Sequence, residues 1–582
     1  MTPSTRPDRA RRELLRNLVV CAPWNVSSQE RWESGVVVGA DVATNDLLRA
    51  LLAHGRFSKL SFLAQSEAGP LVERSLEGIL AGSEQAKRKR EVLELHRLEE
   101  QRDAPFRPHV IQCWEAAAGP LTYLRRHFFG ASVPVLRMTH SISYPSMLHS
   151  TFLEMLLDMA PFDSLICTSP VAREAARNIL ESTRDRFNRE FKVKTAFHGR
   201  LDVIPFGVDI ERFRPAPKPE VREKLGIRKD AFVILWMGRF SLVDKMDLNP
   251  LVHLFADLRK RNPEKDLLLL LCGSFELLGY TKILEGLAKV HDLGESFRIA
   301  RNVGNRETGE RELCFQRELW FQAADVFVSP VDNIQECFGL TPVEAMACGV
   351  PQVVADWDGY RSTVLHGETG FLVPTYWTRC DGDLTRLSGM SDWMGDHFSL
   401  AQSVAVDPFQ LRDDLQALIA NDDLRERMAR ASRRRAQDVF GWKVVVRQYE
   451  DLWCELVREG RRSRWRPCAV DYRRPEYCKF FEHNPTTNLS PRTRLRLSEW
   501  ALALFARATP LPVLGKPFST FVSRSVVTAL LGILAGRRRD TAVTFGRLVA
   551  EGVRTTGDHE DRVRRHVMWL IKYGYLRVEG AL

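Results

Sequence analysis

The sequence predicts an α/β protein: two successive doubly wound domains, each a mostly parallel sheet covered by helices, then a smaller and mostly helical C-terminal domain. Three observations carry this. Short apolar runs alternate with helix-period segments from residue 18 to 209, a rhythm that builds a parallel sheet covered on both faces. The alternation restarts at 232, after RFRPAPKPE (212–220), whose prolines and charges read as a hinge. It stops near 468, where amphipathic helical segments take over. The expected divisions are a flexible N-terminus (1–15), a first α/β domain (16–211), a second (212–467) and a basic helical module (468–582).

In chain order, Leu18 to Cys21 is apolar and stops before Pro23, which marks a buried strand. A loop with Trp24, Asn25, Ser27 and Ser28 follows. TNDLLRALLAHG (44–55) has helical apolar spacing, with Thr44 or Asn45 as N-cap and Gly55 as C-cap. Strands are expected at 60–64, 109–114, 134–140, 164–169 and 201–209. The run KRKR (87–90) reads as a solvated helix face. In the second cycle FVILWMGRF (232–240) is a strand ending in Gly-Arg, and the leucine run of DLLLLLCGS (266–274) fits a strand buried on both faces. ADVFVSP (324–330) and PQVVAD (351–356) complete that series. Residues 382–402 read as an inserted loop or short helices, and 411–440 as strongly helical. The tail ends in three amphipathic segments, SVVTALLGILAG, TFGRLVAEG and DHEDRVRRHVMWLIKYG, and then YLRV. Three helices followed by a strand resemble a winged-helix module. In the third segment Val563, Val567, Leu570 and Ile571 share one face, which Arg562, Arg564, Arg565 and His566 largely avoid.

The 582 residues are 44% hydrophobic and 27% charged, which excludes a mainly disordered chain, a coiled coil and a collagen. The longest apolar runs, 267–272 and 526–536, are shorter than the roughly 20 residues that span a bilayer. The first residues lack the apolar core of a secretory signal. The 11 cysteines form no CxxC pair, so they read as reduced thiols of a cytoplasmic protein and not as a disulfide framework or zinc site. The net charge of +10 is concentrated: 468–582 carries 19 Lys and Arg against 10 Asp and Glu, and the remainder is close to neutral. A basic module fits a protein partner, an acidic membrane surface or, less favoured, nucleic acid.

The stretch carrying most chemistry is ECFGLTPVEAMACGVPQVVADWDGYRSTVLHGETGFLVP (336–374). Glu336 and Glu344 flank a Gly-containing loop (Cys337, Phe338, Gly339, Leu340) and a helix start marked by Thr341 and Pro342. That helix stops at Gly349, before Pro351 and a strand. Backbone N–H groups at 339–343 and a helix N-terminus therefore meet in one loop, which suits an anion. A carboxylate beside it can accept vicinal hydroxyls, as α/β folds do with ribose. Phosphate plus ribose means a nucleotide, and the second carboxylate is then free to accept sugar hydroxyls. Cys337 and Cys348 read as small buried residues.

With ADVFVSP before it and HGETGFLVP within it, this stretch resembles the retaining glycosyltransferases of family 4, with Glu336 and Glu344 as the carboxylates of their E-x7-E motif. The resemblance extends over roughly 16–455 and is most specific in 200–375. It implies the GT-B fold of two facing Rossmann-like domains and transfer of a sugar from a nucleotide-sugar donor with retention at the anomeric carbon. Gly238-Arg239 with Lys245, in WMGRFSLVDKMD, resembles the family's motif for the donor diphosphate. His140, closing PVLRMTH, matches the histidine placed near the donor sugar, and Gly39 corresponds to the glycine-rich loop before the first helix, with Gly-Ala where the family has Gly-Gly. DVIPFGVDIERFRP (202–215) resembles the interdomain segment. The implied catalytic residues are Glu336, His140, Arg239 and Lys245, and the implied donor-binding residues are Arg239, Lys245, Glu336, Phe338, Gly339, Leu340, Glu344 and Gly39. No metal and no cofactor beyond the nucleotide-sugar co-substrate is expected, and the acceptor is unspecified. The competing readings are a degenerate glycosyltransferase serving as a binding scaffold, and a regulator acting on nucleic acid through the tail.

Overall fold

The chain builds two interleaved units, one from residues 1–210 and 436–475, the other from 211–435 and 476–582. The computed structural model describes residues 17–21, 39–64, 73, 76, 77, 90–94, 108–114, 116, 121–125, 129–145, 147–273, 277–301, 316–387, 393–465, 477–501, 522–536, 542–558 and 560–579. The expected flexible N-terminus and the loop between Pro23 and Gly39 lie outside them. The divisions differ from those expected at 467 and 468. The segment 436–475 goes back to the first unit, and the tail joins the second rather than standing alone.

The first unit holds a seven-stranded sheet in the order β3-β2-β1-β4-β5-β6-β7, with every pair parallel. The strands are β1 (Asn17–Cys21), β2 (Lys59–Ala64), β3 (Arg90–Glu94), β4 (Val110–Cys113), β5 (Val135–Met138), β6 (Ser164–Cys167) and β7 (Arg200–Val203). Strands β4, β5 and β6 are buried along their whole length, which explains apolar runs without alternation. Arg90 opens a strand, so the helix expected over KRKR is corrected at that residue; 87–89 lie outside the described residues. Helix α1 spans Gly39–His54 and starts five residues before the expected cap, so Thr44 and Asn45 are buried interior residues, not caps. Helix α2 (Pro170–Phe191) is capped by Ser169, whose hydroxyl accepts from Ala172 N at 3.0 Å.

The returning helix Trp442–Arg462 shows why 436–475 belongs here. It buries Val445, Tyr449, Leu452, Trp453, Leu456 and Val457 on one stripe and packs on α1. Its Trp453 Nε1 donates to Gln112 Oε1 of β4 at 3.2 Å, and Glu450 accepts from Arg56 N at 2.5 Å.

The second unit repeats the plan with six parallel strands in the order β10-β9-β8-β11-β12-β13. They are β8 (Phe232–Met237), β9 (Leu267–Gly273), β10 (Phe297–Arg301), β11 (Val326–Ser329), β12 (Gln352–Ala355) and β13 (Gly370–Val373). In both sheets the order reverses beside the unit's first strand, and the crevice at the carboxyl ends of the strands at such a switch point is where open α/β sheets bind ligands. Helix α3 (Leu340–Ala347) connects β11 to β12.

The tail contributes α4 (Arg524–Ala535), α5 (Phe545–Thr556) and α6 (Glu560–Lys572), and an antiparallel sheet of β14 (Arg494–Leu497), β15 (Val543–Thr544) and β16 (Leu576–Val578) in the order β15-β14-β16. Its core of Val526, Leu530, Leu548, Val567, Trp569 and Leu576 is continuous with Tyr376 and Ala405. The free basic face expected on α6 is corrected. Arg565 and His566 are buried along with Val563, Val567 and Leu570. Arg565 holds Asp383 at 2.7 Å and the Cys380 carbonyl at 2.6 Å; His566 sits between the Arg562 carbonyl at 2.7 Å and Ser523 N at 2.9 Å. Arg562 pairs with Asp558 at 2.9 Å, and Arg564 pairs with Glu560 and Asp561. A helix occupied in this way does not offer the base-reading face of a winged-helix protein.

Since the tail closes the core of the second unit, removing 476–582 should expose Tyr376 and Ala405 and leave that unit unfolded or aggregated. Thermal unfolding of the truncated chain, followed by tryptophan fluorescence, should lack the second unit's transition; wild-type melting would contradict this packing.

Candidate functional site

The loops after β8, β11 and β12 carry the site. The loop after β8 holds Gly238, Arg239, Asp244 and Lys245. Gly238 is close-packed, since a Cβ there would lie 2.8 Å from the Trp236 ring and 3.1 Å from Lys245 Cε. Arg239 donates to Asp244 Oδ2 at 2.7 Å and to the Asp244 carbonyl at 3.2 Å, while Ser241 donates to the other oxygen at 2.6 Å. Burial pushes the Asp244 carboxyl up, but Arg239 and the Ser241 hydroxyl outweigh it and leave the pKa below the ordinary value.

The loop after β11 is fastened to this one. Asn333 Nδ2 donates to the Lys245 carbonyl and Gln335 Nε2 to the Asp244 carbonyl. Lys245 forms an ion pair with Glu336, both side chains retaining a little exposure, 13% and 14%. Trp357 Nε1 donates to Asn333 O at 2.6 Å, and Gly359 N to Glu336 O at 3.0 Å, which brings in the loop after β12.

Phe338 and Gly339 then lead into α3. Gly339 sits at φ +87°, ψ 88°, and a Cβ there would lie 2.2 Å from Tyr360 Cε1, so glycine is required by conformation and by space. No side chain caps the helix, whose first residue is Leu340. Glu344 lies inside α3, buried, with Oε1 2.8 Å from Arg317 Nη2. Tyr360 shares a hydrogen bond of 2.9 Å with Ser329. Burial and the Glu336 charge push its hydroxyl well above the ordinary tyrosine range.

In the second unit the structure pairs Lys245 with Glu336, holds Arg239 in the same loop as Lys245, and runs from Glu336 through Phe338, Gly339 and Leu340 into α3, where Glu344 is buried against Arg317. His140 and Gly39 belong to the first. Gly39 opens α1. The His140 ring stacks on Phe206 with centroids 5.3 Å apart, and its Nε2 is buried with no hydrogen-bond partner among the described residues. Burial lowers its pKa to about 4, against a weaker opposing effect of a hydrogen bond to the Trp114 backbone, so the imidazole is neutral at physiological pH. The Cys348 thiol is pushed up by burial, which suits an inert residue.

The family model described as Glycosyl transferases group 1 matches residues 217–388. Residues 217–388 are thus similar to a group 1 glycosyl transferase domain. D-inositol 3-phosphate glycosyltransferase 2 of Catenulispora acidiphila is 26% identical over 357 residues, 60% of this chain and 72% of that protein. D-inositol 3-phosphate glycosyltransferase of Xylanimonas cellulosilytica is 30% identical over 291 residues, 49% of this chain and 58% of that protein. A solved glycosyltransferase from Rickettsia africae aligns with TM-score 0.50 at 13% identity, covering 76% of this chain and 99% of that one; it shares the fold, which is GT-B.

Several residues of the site escaped the sequence reading. Arg317, Asn333 and Gln335 act through partners distant in the chain, and Asp244 through Arg239 in its own loop. Asp358 has a local signal, an Asp-Gly pair directly after a buried strand. It adopts φ +44° and is buried, with Oδ2 lacking a hydrogen-bond partner among the described residues. Burial first, and the Glu336 charge second, raise its pKa well above the ordinary carboxylate value. The unfolded carboxyl ionises near 4. Between there and the raised folded pKa the folded chain holds a proton that the unfolded chain has released, so stability falls as pH rises through this interval. Asp358→Asn should therefore stabilise the protein more at pH 8 than at pH 4 relative to wild type. Urea unfolding at the two pH values checks this, and a pH-independent difference would contradict it.

Proposed function

We propose that the protein is a retaining glycosyltransferase that moves a sugar from a nucleotide-sugar donor to an acceptor hydroxyl without a metal ion. The observation that carries this reading is the meeting of Lys245, Glu336 and the start of α3 at the switch point between β8 and β11. The bond from the anomeric carbon to the diphosphate oxygen breaks, and the nucleoside diphosphate leaves with the electron pair. The acceptor oxygen then bonds to that carbon on the same face and passes its proton to the departing diphosphate. Charge grows on the departing diphosphate, so groups fixed before the reaction stabilise that state most. Arg239 and Lys245 are such groups, each set in place by a carboxylate, and the backbone N–H groups of 339–341 add an uncharged contribution. Glu336 orients the sugar through its hydroxyls, Glu344 accepts from the ribose, and Phe338, Gly339 and Leu340 line the donor. For His140 and Gly39, which belong to the first unit, a donor role rests on the family resemblance alone. The presence of Arg239, Lys245, Glu336 and Glu344 together speaks against a degenerate scaffold.

Lys245→Ala should lower kcat by about 10²-fold or more, because it removes a charge directed at the leaving group. The fold should survive, and near-wild-type transfer by the variant would contradict the assignment. A thermal-shift panel of nucleoside diphosphates and nucleotide sugars identifies the donor, since a ligand at 100 times its Kd adds about 2.7 kcal/mol. D-inositol 3-phosphate, named for the relatives above, is the first acceptor to test with that donor.

A further inference from the structure

The second unit contains a buried charge cluster that neither the motifs nor the proposed chemistry uses. Lys572, at the last turn of α6, is 2% exposed and forms an ion pair with Asp332, which is 1% exposed. Lys572 Nζ also lies 3.9 Å from Asp247 Oδ2 and donates to the Ala401 carbonyl at 3.4 Å. Asp247 gathers the remainder. It accepts from Tyr573 Oη at 2.6 Å, Gln402 Nε2 at 3.1 Å, Tyr280 Oη at 3.2 Å and Asn249 N at 2.9 Å. Its own N donates to Asp332 Oδ2 at 3.1 Å.

The location gives this cluster its meaning. Asp247 is two residues after Lys245, in the loop after β8, and Asp332 is four residues before Glu336, in the loop after β11. The two loops that present the donor residues are thus tied from behind to the C-terminal tail. A fully buried lysine is costly unless paired, and breaking such a pair leaves an uncompensated charge. Burial, with the Asp247 charge adding to it, raises the Asp332 carboxyl to about 6 even with Lys572 beside it, so the site is under electrostatic tension in any state that lacks the lysine.

We propose that Lys572, with Tyr573, is a positioning residue of the donor site: α6 holds the loops after β8 and β11 in register through Asp247 and Asp332, which makes the tail a structural part of the donor half. The inference rests on the donor reading above for its functional consequence, but not for the tie itself.

The test uses the full chain and two readouts. Hydrogen exchange of 243–248 and 330–336 reports the loops without any ligand, and UDP, ADP and GDP titrations report donor-half binding. In Lys572→Met both loops should exchange at least 10-fold faster, with β8 and β11 unchanged, and the affinity for the nucleoside diphosphate that binds wild type should fall at least 10-fold. Tyr573→Phe keeps the ring and loses only the hydroxyl; it should loosen 243–248 in the same sense by about 3-fold, and it decides the matter if Lys572→Met does not fold. Wild-type loop exchange in a folded variant overturns the proposal. Loosened loops with unchanged nucleotide affinity overturn its functional part. If wild type binds none of the three diphosphates, the donor reading fails, and loop exchange still decides whether α6 holds the loops.

Discussion

The fastening of the loop after β11 onto the loop after β8 is the constraint on which the site depends. Asn333 and Gln335 donate to the carbonyls of Lys245 and Asp244, and Lys245 reaches across to Glu336. Parallel strands leave their carboxyl-end loops without mutual support, since sheet hydrogen bonds stop at the last paired residue. Here side-chain amides supply the missing cross-links by donating to backbone carbonyls, that of Asp244 accepting from Arg239 as well. With the loops joined, Lys245 and Glu336 are placed by the backbone rather than by their own flexible side chains, the condition for electrostatic groups to act without reorganising.

The same logic governs charge. Arg239 is held by Asp244, Lys245 by Glu336, and Arg317 by Glu344. The sequence reading expected fixed cations, and the structure shows how they are fixed: each has a carboxylate of its own. Under the proposed function, a diphosphate meets cations already oriented and competes with the acids that hold them.

Much of this was legible in the sequence, and for definable reasons. Strands buried on both faces, such as β9 with its leucine run, announce themselves without any context. The loop from Glu336 to Gly339 was legible because conformation dictates residue type there, as the positive φ of Gly339 shows. Pairings across long separations were not. Nothing near Lys572 indicates that it is buried against Asp332, 240 residues away, and the basic composition of the tail pointed outward when several of its cations turn inward. Thr44 and Asn45 looked like caps because capping residues and buried polar helix residues are the same types; only the five preceding residues of α1 distinguish them. Strand β3 was hidden by its flanking charges, and β10 by the two arginines within its five residues.

The interleaving of the two units has a consequence for how the molecule is made. The first unit receives the helix Trp442–Arg462 only after residues 211–435 of the second have been synthesised, and the second unit receives α6 later still. Neither half can finish on the ribosome before its neighbour is well under way, so both wait with apolar surface uncovered. For the first unit this surface includes α1 and the β4 residues beneath Trp453; for the second it is the ground around Tyr376. Each half therefore keeps apolar surface exposed until residues well beyond its own parallel sheet have been made.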